Sequence, residues 1–359
     1  MASSMISRRH FIRQSFAATA GMSLIDPLHL AGAQGHESPI SFDMHAHPGA
    51  FFYKGHPNYP GDTAFVKTMH AMTEGKLTGA FISLVADAPL LEVTPTGIKS
   101  KGHYTSGAAH REYRRQYTVI RELLRSAHAM VATKASDLVR ARHDRKVAAF
   151  LACEGSEFLE GKPDELDHLY ADGVRSVQLV HYAPNVLGDL QTSQAQHHGL
   201  STVGKEVVKK MNKLGMVIDV AHASEETVKA VADLTTAPVI LSHSILKMND
   251  DRPLSVRAIS PSHAKLVAGT GGVIGAWPSG FNASFDEFVD NTKRLIDAAG
   301  IDHVGLGTDM DGNFKPVFSS YAQLPDWSNA LHAKGLGWQD VAKVLGGNMQ
   351  RVLIKVLGH

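Results

Sequence analysis

Asp43-Met44-His45-Ala46-His47 closes an apolar run near the start of the chain. His45 and His47 are two apart, so on a β-strand both side chains leave the same face. The pattern recurs along the chain: apolar runs end in Glu154, His181, His222, His243, and Asp309 with Asp311. Imidazole nitrogens and carboxylates suit zinc, and two zinc ions ~3.5–4 Å apart can share a bridging carboxylate and a hydroxide. Glu154 lies centrally in that order and could bridge. His222 and His243 could complete the second ion's ligands. Asp309 could take a proton from the activated water and return it to a leaving amine. One strand-end histidine alone is ordinarily a satisfied structural group, and Glu154 alone could be an ion-pair partner. Convergence makes the case. Asp311, in Asp-Met-Asp-Gly, has a plainer reading as a turn residue that bonds backbone amides.

Such convergence needs a scaffold that gathers strand ends. Eight β-rich apolar runs occupy 40–47, 79–87, 146–155, 174–182, 216–224, 238–244, 271–277 and 303–312. Helical patterns lie between and after them, at 62–77, 109–143, 164–171, 201–214, 225–234, 260–269, 284–299 and 338–356. In 201–214, Val203, Val207, Val208, Met211 and Leu214 recur at helical spacing. Ser284 and Asp164 are expected N-caps. The runs are continuously apolar, as strands buried on both faces are. Eight strands alternating with helices predict an α/β fold, a (β/α)8 TIM barrel, in a single domain over 34–359. An open doubly wound sheet would favour a Gly-rich phosphate turn after an early strand, and none is found. The Gly/Pro/aromatic stretch 48–62 follows the first run, where a barrel carries substrate-binding loops.

Composition narrows the class. Hydrophobic residues make up 43% and charged residues 20%, which argues against disorder. A net charge of +1 gives no basic field for nucleic acid. Cys153 is the one cysteine, so neither an intrachain disulfide nor a Cys-rich zinc site is available. The first 33 residues read as an address. Arg8-Arg9 precedes an apolar stretch from Phe16 to about Ile25, and Ala31-Gly32-Ala33 offers a processing site. The arginine pair resembles the twin-arginine signal, whose export machinery carries folded proteins. The stretch is too short for a permanent membrane anchor. The expected location is therefore periplasmic or secreted.

The stretch from Leu200 to Ser224, including Val217-Ile-Asp-Val-Ala-His222, resembles the signature of the membrane (renal) dipeptidase family, within the metal-dependent amidohydrolases. Ala237-Pro-Val-Ile-Leu-Ser-His243-Ser, His303-Val-Gly-Leu-Gly-Thr-Asp309-Met-Asp-Gly and Cys153-Glu154-Gly155 are similar to the family's further motifs. The resemblance covers about 40–357. It implies a zinc-dependent dipeptidase with two Zn2+ per chain: one on His45 and His47, one on His222 and His243, with Glu154 bridging. It also implies that His181 contacts substrate and that Arg257 holds the substrate carboxylate, with Arg252 as the alternative. Asp309 would be the proton shuttle. One departure stands out: the family's first motif is typically His-x-Asp, and here it is His45-Ala-His47. Imidazole keeps a ligand but removes a negative charge; Asp43, on the same strand face, is a candidate to compensate.

The same site could serve other substrates: a lactone, an N-acyl amino acid or a β-lactam. A neutral lactone would leave Arg257 nothing to bind. A rival of another class is an exported protein that binds metal or a ligand without catalysis. The expected partner is a small dipeptide-like amide, and a homodimer is left open.

Overall fold

The computed structural model describes residues 39–359 apart from 95, 96, 249–251 and 253. The expected leader, 1–33, lies outside the described residues. Every expected apolar run contains a strand: β1 (Phe42–Ala46), β2 (Gly79–Val85), β3 (Ala148–Glu154), β4 (Val174–Gln178), β5 (Val217–Asp219), β6 (Ile240–Ser244), β7 (Val273–Ala276) and β8 (Val304–Leu306). All neighbours pair in parallel, from β2 through β1, β8, β7, β6, β5 and β4 to β3. β3 then pairs with β2 along its whole length, which closes the ring. Closure removes the free edges. Pro39–His359 forms one compact unit, an eight-stranded parallel barrel wrapped by helices.

The strands are shorter than the apolar runs that announce them. His181, His222 and Asp309 lie beyond the last paired residue of their strands. His222 (φ 66) and Asp309 (φ 53) adopt the left-handed region, which non-glycine residues occupy rarely. These three polar ends thus lie in the loops above the barrel, while His45, Glu154 and His243 lie in the last residues of their strands.

The surrounding helices include α1 (Asp62–Glu74), α2 (Ala108–Ser126), α3 (Ser136–His143), α4 (Glu165–Ala171), α5 (Thr202–Leu214), α6 (Glu225–Leu234), α7 (Pro261–Gly269), α8 (Phe285–Ala299) and α9 (Leu324–Ala333). In α5, Val207, Val208 and Met211 are buried, and the Ser201 hydroxyl accepts the Gly204 amide at the N-terminus. Ser284 caps α8 in the same way. Asp164 does not cap α4; its carboxylate accepts from Lys210 Nζ.

Three expectations change. The helix expected over 109–143 is two helices, α2 and α3, separated by Met130–Val131, which pairs with the start of β3. His128 turns the chain there at φ 53 without a Gly or Pro to mark it. The helix α9 was not anticipated, although Leu324, Trp327 and Leu331 make a buried helical stripe. The last helix is interrupted at Lys343–Gly347 by a π-turn. There a Cβ on Gly346 would lie 2.7 Å from the Ile40 carbonyl oxygen, so the chain reaches the foot of β1 only as glycine.

Candidate active site

Glu154, the last residue of β3, pairs in register with Val85 and is buried. Five imidazoles converge on its carboxylate. His45 Nε2 lies 3.2 Å from Oε1 and His47 Nε2 3.2 Å from Oε2. His181, His222 and His243 approach Oε1 through Nε2 at 3.3, 3.5 and 3.8 Å. Nε2 of His45 and of His47 are 3.1 Å apart, and Nε2 of His222 and of His243 are 3.0 Å apart. Two donor sets result, His45-His47-Glu154 and Glu154-His222-His243, each with its ligand atoms within 4.8 Å of one another.

The opposite edges of the rings show why they aim this way. His47 Nδ1 donates to the Ser83 carbonyl at 2.8 Å, which turns Nε2 toward Glu154. Ser242 Oγ lies 3.3 Å from His45 Nδ1 and 3.0 Å from His243 Nδ1, bridging the two sets from below. Burial, then the charges of Arg257 and of neighbouring imidazoles, hold His222 well below the usual imidazole range; burial, His45 and Arg257 do the same for His243. Both therefore stay neutral with a lone pair to give. Burial also disfavours a charge on His47, but hydrogen bonds to Asp309 and Glu154 outweigh it and raise the ring to about 10. Imidazoles packed nitrogen to nitrogen around one carboxylate form a donor set that a pair of divalent cations fits.

Other groups ring this centre. Burial opposes charge on His181, yet the nearby carboxylates of Asp87 and Glu154 raise its proton affinity. His181 Nδ1 lies 2.6 Å from Asp87 Oδ1, and Asp87 Oδ2 accepts the amides of Tyr182 and Ala183. Asp309 Oδ1 lies 3.4 Å from His47 Nε2, and its amide donates to the His45 carbonyl. A Cβ on Gly312 would come within 2.6 Å of His47 Cδ2 and 2.7 Å of Asp309 Oδ1, so only glycine completes this turn.

Arg257 is 1% exposed and lies between the rings of Tyr182 and Trp277. Its Nε donates to Gln191, Nη1 lies 2.7 Å from the His222 ring nitrogens, and Nη2 is buried without a hydrogen-bond partner. A buried cationic donor left unsatisfied costs on the order of 1–3 kcal/mol, more when charged, so the guanidinium is built for an anionic partner. Arg252, the alternative, bonds to Glu287 and to the Phe281 carbonyl instead.

Asp43 is a correction. It does not join the donor sets: its carboxylate accepts from the amides of His45 and Thr308, the Thr308 hydroxyl and the Tyr321 hydroxyl. It ties the start of the barrel to its end. Asp311 holds the loop after β1, accepting the Gly49 amide and the Thr68 hydroxyl, both at 2.6 Å. That loop begins as a short helix, Pro48–Tyr53, whose Phe52 ring packs edge-on against His47 at 5.3 Å. It walls the site, as loops after barrel strands do. The sequence reading missed Asp87, Ser83 and Ser242. Asp87 ends its apolar run just as the others end in His or Glu, so its position was a usable signal. A separate cavity of about 440 Å3 opens between the loops after β2, β3 and β4, where Tyr104, Glu157, Asn185 and His197 line it.

Comparison with known proteins agrees with this geometry. The model of the membrane dipeptidases (peptidase family M19) matches residues 38–357. Dipeptidase tcpJ of Claviceps purpurea is 29% identical over 301 residues, covering 79% of this chain and 68% of that protein. Dipeptidase verJ of Clonostachys rogersoniana is 26% identical, covering 80% of this chain and 75% of its own. The fold is shared with a metallo peptidase from Rhodobacter sphaeroides, solved with a phosphinate mimic of L-Ala-D-Ala. The TM-score is 0.75 at 21% identity, over 89% of this chain and 99% of that one. A barrel whose strand ends bring four histidines and a shared glutamate into two donor sets, matched by a family model along nearly its whole described length, places this chain in the membrane dipeptidase family of metal-dependent peptidases.

Proposed function

We propose that this chain hydrolyses the amide bond of dipeptides with two zinc ions, one held by His45, His47 and Glu154 and the other by Glu154, His222 and His243. The carrying observation is Glu154, one carboxylate shared by two histidine pairs. When bound, the ions supply Lewis acidity, acidifying water toward neutral pH and polarising the scissile carbonyl. The protein's own groups do the rest. Arg257 Nη2 takes the substrate's C-terminal carboxylate, which restricts the site to short substrates. His181, whose proton affinity the carboxylates of Asp87 and Glu154 raise, is held by Asp87 and turns Nε2 toward the oxygen on which negative charge develops. Asp309 accepts a proton from the attacking water and delivers it to the leaving nitrogen. Phe52 and Trp277 flank the histidines and keep bulk water off them.

The test is zinc content per chain together with hydrolysis of L,L and L,D dipeptides before and after chelation. About two zinc ions and chelator-sensitive cleavage support the reading; cleavage that survives complete removal of metal sinks it. The leader supports export by the twin-arginine route to the periplasm. Replacing Arg8 and Arg9 by Lys should leave the protein inside the cell, and unchanged export would rule the route out. No described helix is long and apolar enough to cross a membrane.

A further inference from the structure

We infer that the loop Pro48–Tyr53 walls a pocket for the side chain of the substrate's N-terminal residue, that this side chain is apolar, and that Arg115 is the positioning residue that fixes the wall. The inference deepens the dipeptide-hydrolysis reading above and rests on it.

On that reading the substrate carboxylate sits at Arg257, beside His222. The scissile amide then lies over Glu154, and the residue on its acyl side extends over His45 and His47. On that flank Phe52 packs edge-on against His47 at 5.3 Å, and Tyr53 packs against Phe52 at 4.3 Å. Phe52, Val85 and Ala88 form a small buried apolar cluster, separate from the main core. Ala50 and Tyr53 pack against it half-buried. The members come from the loop after β1 and from the end of β2 and the loop that follows, two strands that are neighbours in the barrel. An apolar patch that is buried beneath and open at its rim favours a side chain that gains by leaving water.

The wall is held from both sides. Ala50 has φ 47, in the left-handed region that non-glycine residues occupy rarely. On one side of it Asp311 accepts the Gly49 amide at 2.6 Å. On the other, Arg115 of α2 donates through Nη2 to the Phe52 carbonyl at 2.6 Å and through Nη1 to the Lys54 carbonyl. Glu112 orients the guanidinium, accepting Nε at 2.8 Å and Nη2 at 2.5 Å. Gln116 donates to Glu112 at 2.7 Å, and it also accepts the Val85 amide and donates to the Val85 carbonyl, at 2.9 and 2.8 Å. One turn of α2 thus ties the backbone of the loop after β1 to the end of β2, the two sources of the apolar cluster. Charge-assisted bonds in a forked pair give that tie both strength and direction. The contact is made through backbone carbonyls, so it sets where Phe52 stands and leaves the ring itself to face the site.

The experiment uses the zinc-loaded protein and dipeptides X-Ala in which X is Gly, Leu, Phe, Asp or Lys, with calorimetric Kd values for the matching phosphinate analogues. Leu-Ala and Phe-Ala should exceed Asp-Ala and Lys-Ala by ~10-fold or more in kcat/KM, with Kd in the same order, because even one methylene in an apolar pocket is worth ~10–200-fold. In Phe52→Ala and in Arg115→Met, at matched zinc content, the ratio of Leu-Ala to Gly-Ala should fall by ~10-fold through KM rather than kcat. Arg115→Lys, which keeps a cationic donor for the carbonyls, should recover part of that loss. Equal or better handling of Asp-Ala or Lys-Ala by the wild-type protein overturns the inference whether or not the variants fold. An equal loss for Leu-Ala and Gly-Ala in Arg115→Met would make Arg115 a structural residue and remove its positioning role. If protein that carries its zinc neither cleaves any of the dipeptides nor binds any analogue, the dipeptide-hydrolysis reading itself falls.

Discussion

The two sides of Glu154 use the same ligand type and are built differently. On one side the imidazoles of His45 and His47 come from a single strand and its first loop residue. On the other, His222 comes from the loop after β5 and His243 from β6, 21 residues apart. The first side faces a carboxylate, Asp309, and a phenyl ring, Phe52. The second faces a guanidinium, Arg257, and an indole, Trp277. Proton affinity follows the neighbours: carboxylates raise His47, while burial and positive charge depress His222 and His243. Identical ligands thus sit in fields of opposite sign. On the proposed mechanism, that polarity would orient a substrate with its carboxylate toward Arg257 and its proton transfers toward Asp309.

Removing the carboxylate of the first side should have the largest effect. Asp309→Asn should lower kcat by ~10²–10⁴-fold with zinc content unchanged; wild-type turnover would take Asp309 out of the mechanism. On the second side, Arg257→Met should raise KM about 30-fold, about 2 kcal/mol, for substrates ending in a carboxylate. C-terminal amides, already poor, should respond little, and an equal loss for both would assign Arg257 to structure. Between the sides, Asp87→Asn should lower kcat by ~10-fold with zinc content intact, because it loosens the orientation of His181. If zinc is lost in proportion, Asp87 supports the metal site instead.

The smallest effect concerns the neighbouring cavity. Burial, then the charge of Asp87, pushes the Glu157 carboxyl up to about 8, and Glu157 Oε2 has no partner. An unfolded glutamate titrates near ~4.3. Between those values the folded protein holds a proton that the unfolded chain has released. This stabilisation is complete below the unfolded value and is lost as pH rises toward 8. Glu157→Gln should flatten the fall in Tm between pH 5 and 8; an unchanged slope would place the effect elsewhere.

Much of this was legible because it is local. Eight apolar runs named eight strands, since burial on both faces leaves a continuous apolar signal. Ser201 and Ser284 cap their helices because an N-cap is a contact across three residues. Where local signals were missing, the reading slipped. Nothing in the sequence marks the turn at His128, and the break at Gly346 depends on its close approach to Ile40, far away in the chain.

The site divides along the same line. Residue type and position at the strand ends were enough to name His45, His47, Glu154, His181, His222, His243 and Asp309 as one group. They could not say which aspartates stay free or which arginine faces in. Asp43 and Asp311 have the same chemistry as Asp309, yet one is spent on Tyr321, 278 residues away, and the other on Gly49, 262 residues away. Arg252 and Arg257 are five apart, and only the fold hands one to Glu287 and the other to the histidines. Sequence alone determined which groups could do chemistry, because strand periodicity and burial are written in neighbouring residues. Tertiary structure decided which of them are left with an unspent donor or acceptor, because hydrogen-bond partners are assigned by contacts across the whole chain.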